Sequence, residues 1–380
     1  MCLIAPAVSA APSVVAATAR RLGPTAFASL IALATGPLAC SGPLPPPPRP
    51  SDEVARIEWL EGRTLQRIAF GSCSDQSKAQ PVWTAVRDDN PDLYVALGDN
   101  IYADTEDVDV LRAKYWRQEA IPGFAALRRT VPVYGTWDDH DYGANDAGAE
   151  YPKKDESQRL FLDFLRVAPD SPRRGRRGVY DAVVLGPPGR RVHVIALDLR
   201  YHQGPRLRDA KPFGYEADVS PESTMLGAEQ WAWFEQELAR PAEVRIVLSS
   251  IQLVPNYDSG ERWGNRPLER ERALKALGAA APSALVVVSG DRHFGELSTL
   301  EPGPAGVPLY EMTTSGLTEV ERFLGPNPLR SAGPFVTVNY GLIDLNWDAP
   351  QPALVMRLRD AGGRDLAEQA VPLPIAPAAP

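Results

Sequence analysis

The chain has 380 residues, 44% of them hydrophobic, and a formal charge of −8, which is enough for one large core or two ordinary domains and argues against a disordered chain. Residues 1–50 carry three Arg and no acidic residue, so the rest holds 37 basic against 48 acidic side chains, and no nucleic-acid-binding surface is evident. Cys2, Cys40 and Cys73 are the only cysteines, and the first two fall in the N-terminal leader, so no internal disulfide is expected.

The leader comes first in chain order. Arg20-Arg21, the apolar stretch FASLIALATGPLAC and the tract SGPLPPPPRP follow the order of an export signal, expected over residues 1–40. Residues 41–64 are then a proline-rich linker and extended lead-in, and residues 65–370 a single catalytic domain. The expected location is periplasmic or cell-surface. Leu38-Ala39-Cys40 admits a lipid anchor at Cys40, with Pro37 where such a box normally has Leu, and the arginine pair admits twin-arginine export. No later segment reaches the ~18 apolar residues of a membrane span.

RIAFGSCS reads as a buried strand ending in a loop, PVWTAVRDDNP as a helix closed by Asn-Pro, and LYVALGD as the next strand, a β-α-β opening. Residues 106–129 are helical in pattern, with Val110, Leu111, Tyr115 and Trp116 on an apolar face, and VPVYGTW returns to the sheet. After His140 a Gly, Asn and Asp-rich stretch to about residue 149 suits a ligand-bearing loop. A helix is expected from Ser157 to Val167. GVYDAVVL and RVHVIALDLR read as neighbouring strands of a sheet packed on one face only. A helix from Leu226 to Leu238 puts Trp231, Phe234 and Leu238 in the core, VRIVLSS and ALVVVSG are strands covered on both faces, and the C-terminal third is strand and turn with 370–380 frayed.

Four segments at predicted strand ends carry the chemistry: GSCS around Cys73, LGDNIYAD around Asp99, TWDDHDYG around His140 and SGDRHFGE around His293. Asp99 and Tyr102 can aim two oxygens at one ion, and a phenolate favours a trivalent cation such as Fe3+. Asp138, Asp139, His140 and Asp141 form an ionisable run that is costly near a core unless metals or hydrogen bonds absorb the charge. Asp291 and His293 can serve neighbouring metals. Cys73 admits three roles: metal thiolate, nucleophile or inert buried thiol. His193 lies within a strand and reads as structural, Asp198 and Arg200 read as a support pair beside His202, and the RRGRR run from Arg173 to Arg177 reads as a solvated turn unless it faces the cleft.

Taken together, these segments resemble the alkaline phosphatase D family of the metallophosphoesterase superfamily, over roughly residues 66–355. The resemblance implies a four-layer α/β/β/α sandwich with a purple-acid-phosphatase-like centre, Fe3+ beside a second metal, often Ca2+, that hydrolyses phosphomonoesters or diesters by a metal-bridging hydroxide. Carried over by position, Asp99 bridges the metals, Cys73, Tyr102 and His293 complete the iron side, and Asp139 and Asp291 hold the second metal. His140 steadies phosphate and protonates the leaving group, and Arg292 contacts phosphate. Asn100, Asp138 and Asp141 are supporting candidates, and either Gln252 or Asn256 supplies a further ligand. Larger family members carry an extra N-terminal β-domain, whereas about 15 residues separate the proline tract from the first core strand here. Substrate choice therefore stays open among small phosphoesters, lipid headgroups and phosphate polymers. Two other functions fit the residues: a thiol enzyme using Cys73, and an exported binding or structural protein with a degenerate metal site.

Overall fold

The computed structural model describes residues 57–207, 214–257, 260–280, 283–322 and 325–374. The export signal, Cys40 and the proline tract lie outside the described residues. Two mixed sheets form the body. The first has six strands, β1 (Arg67–Gly71), β2 (Leu93–Leu97), β3 (Val133–Thr136), β11 (Asn339–Asn346), β12 (Ala353–Asp360) and β13 (Asp365–Pro372), in the order β13-β12-β11-β1-β2-β3. The second has seven, β4 (Asp181–Leu185), β5 (Val192–Ala196), β6 (Val244–Ser249), β7 (Ala284–Ser289), β8 (Gly295–Leu300), β9 (Leu309–Thr314) and β10 (Arg330–Phe335), in the order β10-β8-β9-β7-β6-β5-β4. Strands β1, β2 and β3 run parallel, as do β5, β6, β7 and β9, while β11, β12 and β13 pair antiparallel in the first sheet and β4, β8 and β10 in the second.

Alternation along the strands builds four layers. On β1, Ile68 and Phe70 point between the sheets to meet Ile246, Leu248, Val286 and Val288, while Ala69 faces the other way. That outer face is covered by α1 (Val82–Asp88), α2 (Val108–Glu119), α3 (Pro122–Arg128) and α5 (Lys154–Phe164), which contribute Trp83, Leu111, Phe124 and Phe161. On β6, Ile246 and Leu248 face inward and Val247 meets Trp231 and Phe234 of α6 (Gly227–Leu238) and Leu277 of α7 (Pro267–Ala279). Three hydrophobic layers between four structural ones make the α/β/β/α sandwich expected from the sequence.

Several local expectations are corrected. Residues 57–61 are helical rather than extended, with Leu60 buried inside the span expected as lead-in. Val110 is 41% exposed, because it lies in the first turn of α2 where its amide donates to the Asp107 side chain, and Leu111 and Tyr115 alone of the named set are buried. Strand β5 is covered on both faces: Val194 and Ala196 join the inter-sheet layer and Ile195 packs under α6. The polar His193 mimicked a one-sided pattern, but it is fully buried, with its Nε2 3.0 Å from Glu237 Oε2 of α6. The C-terminal stretch holds register through Leu354↔Val371 and Ala353↔Pro372, with Val371 and Leu373 buried, so fraying does not begin at 370. Arg173 is neither in a solvated turn nor in the cleft; its guanidinium is buried against the Val179 and Gly135 carbonyls.

Candidate metal centre and phosphate cleft

The parallel strands deliver their C-terminal ends to one edge of the sandwich, the usual place for a site in such sheets. Cys73 follows β1, Asp99 follows β2, and Asp138 follows β3, opening the short helix α4 (Asp139–Tyr142). From the second sheet, Arg200 follows β5, Asp291 and His293 follow β7, and Ser315 follows β9. The loops are stitched to one another: Ser74 N donates to Asp99 O at 2.8 Å, Ala103 N to His140 O at 3.0 Å, and Thr318 N to Cys73 O at 3.0 Å.

Local backbone strain accompanies this convergence. Cys73, Asp99, Asp104, Asp146, Asp291 and His293 all have positive φ, at about 1–3 kcal/mol for a non-glycine residue held there. Asp and His enter the left-handed region more readily than most residues, whereas Cys73 has no such tolerance, and its retention there points to function. Gly98, with φ 104°, clears the way for the ionisable run, since a Cβ at that position would stand 2.5 Å from the Asp138 Cβ.

Ligand atoms gather in overlapping groups, each with its atoms within 4.8 Å of one another: Cys73, Asp99 and His293; Asp99, Asp139 and His140; Asp138, Asp139 and Asp291; and Asp139, Asp146 and Glu261. The Cys73 thiol lies 3.3 Å from Asp99 Oδ2 and 3.1 Å from Ser315 Oγ, and Tyr102 Oη lies 2.9 Å from His293 Nε2. Burial pushes the Cys73 thiol up to about 12 and, with the neighbouring Cys73 and Asp99 charges, pushes the Tyr102 phenol well above its ordinary range. Burial pulls His293 down, leaving a neutral imidazole.

This donor set fits a pair of cations. Asp99, Asp138, Asp139, Asp141 and Glu261 are all at most 3% exposed, and Asp138 Oδ2 and Asp139 Oδ1 are buried without a hydrogen-bond partner. Burial raises Asp99 and Asp138 well above the carboxylate range, a cost that bound positive charge would relieve. Asp139 is instead held low: burial opposes its ionisation, but Arg200, His140 and the Asp146 amide outweigh it.

Arg200 supplies the largest internal compensation. Its Nε meets Asp138 Oδ1 at 2.5 Å and its Nη1 meets Glu261 Oε2 at 2.7 Å, with no exposure to solvent. Ser250 Oγ also donates to Asp138 Oδ1, at 2.7 Å. Asp198 does not pair with the Arg200 guanidinium; it accepts the backbone amides of Arg200 and Tyr201 and that of Val179, closing the loop that aims Arg200. Asp141 is likewise a fastener, accepting Asp138 N at 2.7 Å and Asn100 Nδ2 at 2.6 Å, which ties the β2 loop to the β3 loop.

His140 Nδ1 faces both oxygens of Asp104, at 2.8 and 2.9 Å, and its ring lies 4.2 Å from that of Tyr102. Burial opposes the imidazolium, but Asp99 and Asp104 overcome it and raise His140 to about 11. A cleft of about 190 Å³ opens here, bordered by His140, Asp146, Tyr215, Asp291, Arg292 and His293. A larger hollow, about 330 Å³, between Leu277, Pro304, Tyr310 and Pro372 shares no residue with the acidic clusters.

Two candidates lie elsewhere. Gln252 is fully buried, its amide nitrogen donating to Glu296 and Thr313, and Asn256 is exposed beside Gly264. Conversely, Asp104, Asp146, Glu261 and Ser315 belong to the site without having been singled out. Asp104 and Asp146 stand in the flagged Asp-rich loops, whereas Glu261 and Ser315 carry no strand-end signature of comparable strength.

Comparisons with known proteins agree with this geometry. "Structure of PhoD" superposes with a TM-score of 0.61 at 16% identity, covering 82% of this chain and 73% of that one. The purple acid phosphatase PPD1 of yellow lupin (Lupinus luteus) gives 0.55 at 13% identity, covering 82% and 54%. GAP50, the anchor in the inner membrane complex of Plasmodium, gives 0.53 at 10% identity, covering 82% and 90%. These likenesses show a shared metallophosphoesterase-type sandwich. No curated protein matches the sequence. The profile of the PhoD-like phosphatases matches residues 111–332, more than half of the sequence, and on that ground the chain belongs to the PhoD-like phosphatase family, whose architecture serves metal-dependent phosphoester hydrolysis.

Proposed function

We propose that the protein hydrolyses phosphate monoesters, diesters or both, with Asp99 shared between two cations. Cys73, Tyr102 and His293 hold the first, for which the thiolate, phenolate and imidazole set suits Fe3+, and Asp139 and Asp291 hold the second, for which an oxygen-rich set suits Ca2+. The observation that carries this reading is that the ligand groups overlap, Asp99 and Asp139 each belonging to more than one.

When bound, the metals would supply charge to neutralise the phosphoryl oxygens and to activate water for in-line attack. The remaining work falls to side chains. Arg292, at the cleft wall, contacts a phosphoryl oxygen; His140, held protonated by Asp104 and Asp99, gives its proton to the leaving-group oxygen. Asn100, Asp138 and Asp141 hold the loops that present these groups, and Arg200 keeps the Asp138 carboxylate in place.

The substrate would be a phosphoester small molecule, a phosphate-containing polymer or a lipid headgroup, met outside the cytoplasm after export. Changing His140 to Asn tests the acid role. Hydrolysis of esters with poor leaving groups should fall by about 10²-fold or more while p-nitrophenyl phosphate is much less affected; equal losses would remove His140 from that role.

A further inference from the structure

The reading of Arg292 as a phosphate contact leaves open what aims it. The side chain crosses from the end of β7 toward the loop that follows β6. Its Cζ lies 5.5 Å from the Tyr257 ring centroid, which sets the guanidinium beside the Tyr257 side chain. Its one ion pair among the described residues is with its own neighbour Asp291, at 3.8 Å. An arginine with so little carboxylate pairing keeps hydrogen-bonding capacity for an incoming anion.

Resting on that reading, we infer that Tyr257 and Gly260 are positioning residues that hold the Arg292 guanidinium in the cleft. The polarity of the supporting chain follows from its buried end. Glu296 is fully buried, and its Oε1 takes the Gln252 amide nitrogen at 2.8 Å, with Thr313 Oγ1 taking the same nitrogen at 2.8 Å. The donor end of Gln252 is thereby committed, and its Oε1 faces Tyr257 Oη at 2.9 Å. Tyr257 must donate to that oxygen, which leaves its hydroxyl lone pairs for the guanidinium. Gln252 thus serves the site at one remove, through Tyr257, instead of as a ligand.

Gly260 provides the space. A Cβ there would stand 1.7 Å from Arg292 Nη1 and 2.8 Å from Cζ, so the guanidinium occupies the place a side chain would take. Its φ of 66° adds a second reason for glycine. Any side chain at 260 would push the fork away from the position that Tyr257 defines.

The test uses the metal-loaded full chain with p-nitrophenyl phosphate as substrate and inorganic phosphate as competing ligand. Tyr257→Phe and Gly260→Ala are each compared with Arg292→Ala, alone and combined with it. Both single variants should raise KM and the phosphate inhibition constant together, about 3-fold for Tyr257→Phe and about 10-fold for Gly260→Ala, with metal content unchanged. In the Arg292→Ala background neither should add a further loss, because residues acting through one group are not additive. Additive losses, or unchanged KM and phosphate inhibition in both single variants, would overturn the inference while leaving the hydrolase reading intact. If Arg292→Ala itself leaves KM and phosphate inhibition unchanged, the phosphate-contact role falls and this inference with it; absence of turnover by the metal-loaded native chain would instead defeat the proposed function. Tyr257→Phe keeps the ring, so the question stays decidable even where Gly260→Ala disturbs folding.

Discussion

Asp104 meets His140 Nδ1 with both carboxylate oxygens, at 2.8 and 2.9 Å, and its Oδ1 also accepts the Asn145 amide at 3.0 Å. The pair fixes which face of the imidazole is free, leaving Nε2 for substrate. Asp104→Asn removes the charge and keeps the shape. It should slow hydrolysis of esters with poor leaving groups by about 10-fold, part of the ~10²–10⁴ that a general acid supplies. Because Asp104 raises the His140 pKa, the alkaline limb of the pH–rate profile should move to lower pH in the variant; an unmoved limb would separate Asp104 from the acid.

Without metals the centre should lose stability as pH rises. Burial raises Asp141 and Asp291 to about 7, so both bind protons more tightly folded than unfolded. The stability they contribute is fully present below the ordinary carboxylate range and is lost as pH climbs through about 7. His140 acts in the same direction, its contribution being present below about 6.5 and lost as pH rises toward 11. Chelated protein should therefore show a lower denaturation midpoint at pH 8.5 than at pH 6. Reloading with metal should narrow that gap, because the ionised carboxylates gain a partner. Equal midpoints for the chelated protein at the two pH values would contradict this assignment.

Arg200 is the internal counter-charge. Replacing it with Met leaves Asp138 buried without its guanidinium and Glu261 with Arg206 alone, a loss of about 3–5 kcal/mol by comparison with other broken buried pairs. Denaturant titration of the metal-loaded variant checks the size of the effect; a change under about 1 kcal/mol would mean that the acidic residues are compensated elsewhere.

The candidate ligand residues were legible because each follows a short apolar strand, where a run of charge has no structural explanation. Asp99, Asp139, Asp291 and His293 could be placed at one sheet edge on that basis, whereas the two-sheet architecture came from the family resemblance. The supporting residues were harder to read for a physical reason. Which side chain faces the acidic cleft depends on left-handed turns at Cys73, Asp104 and His293 and on packing between sheets, and neither leaves a periodic trace. Asp198 and Arg200 illustrate this: two residues apart, they do not pair through their side chains, and Arg200 reaches instead to Asp138, 62 residues away. Gln252 and Asn256 share a loop, yet one is fully buried and the other exposed.

Cys73 is fully buried and, in the metal-loaded protein, would be engaged as a ligand, so in the folded protein it should resist alkylation. Iodoacetamide at pH 8 should leave the native chain unmodified at Cys73 by mass spectrometry and label it after unfolding. Activity should survive that treatment. Rapid native labelling accompanied by inactivation would favour the thiol-enzyme alternative.

The central claim is that two metals held by these loops make the protein a phosphoester hydrolase. Elemental analysis should be paired with hydrolysis of p-nitrophenyl phosphate and bis-p-nitrophenyl phosphate before chelation, after chelation and after resupply of Fe3+ and Ca2+. About two metals per chain, one of them iron, with turnover abolished by the chelator and restored by the metals, is the expected result. Protein that stays inactive on both esters with its metals supplied would contradict the account.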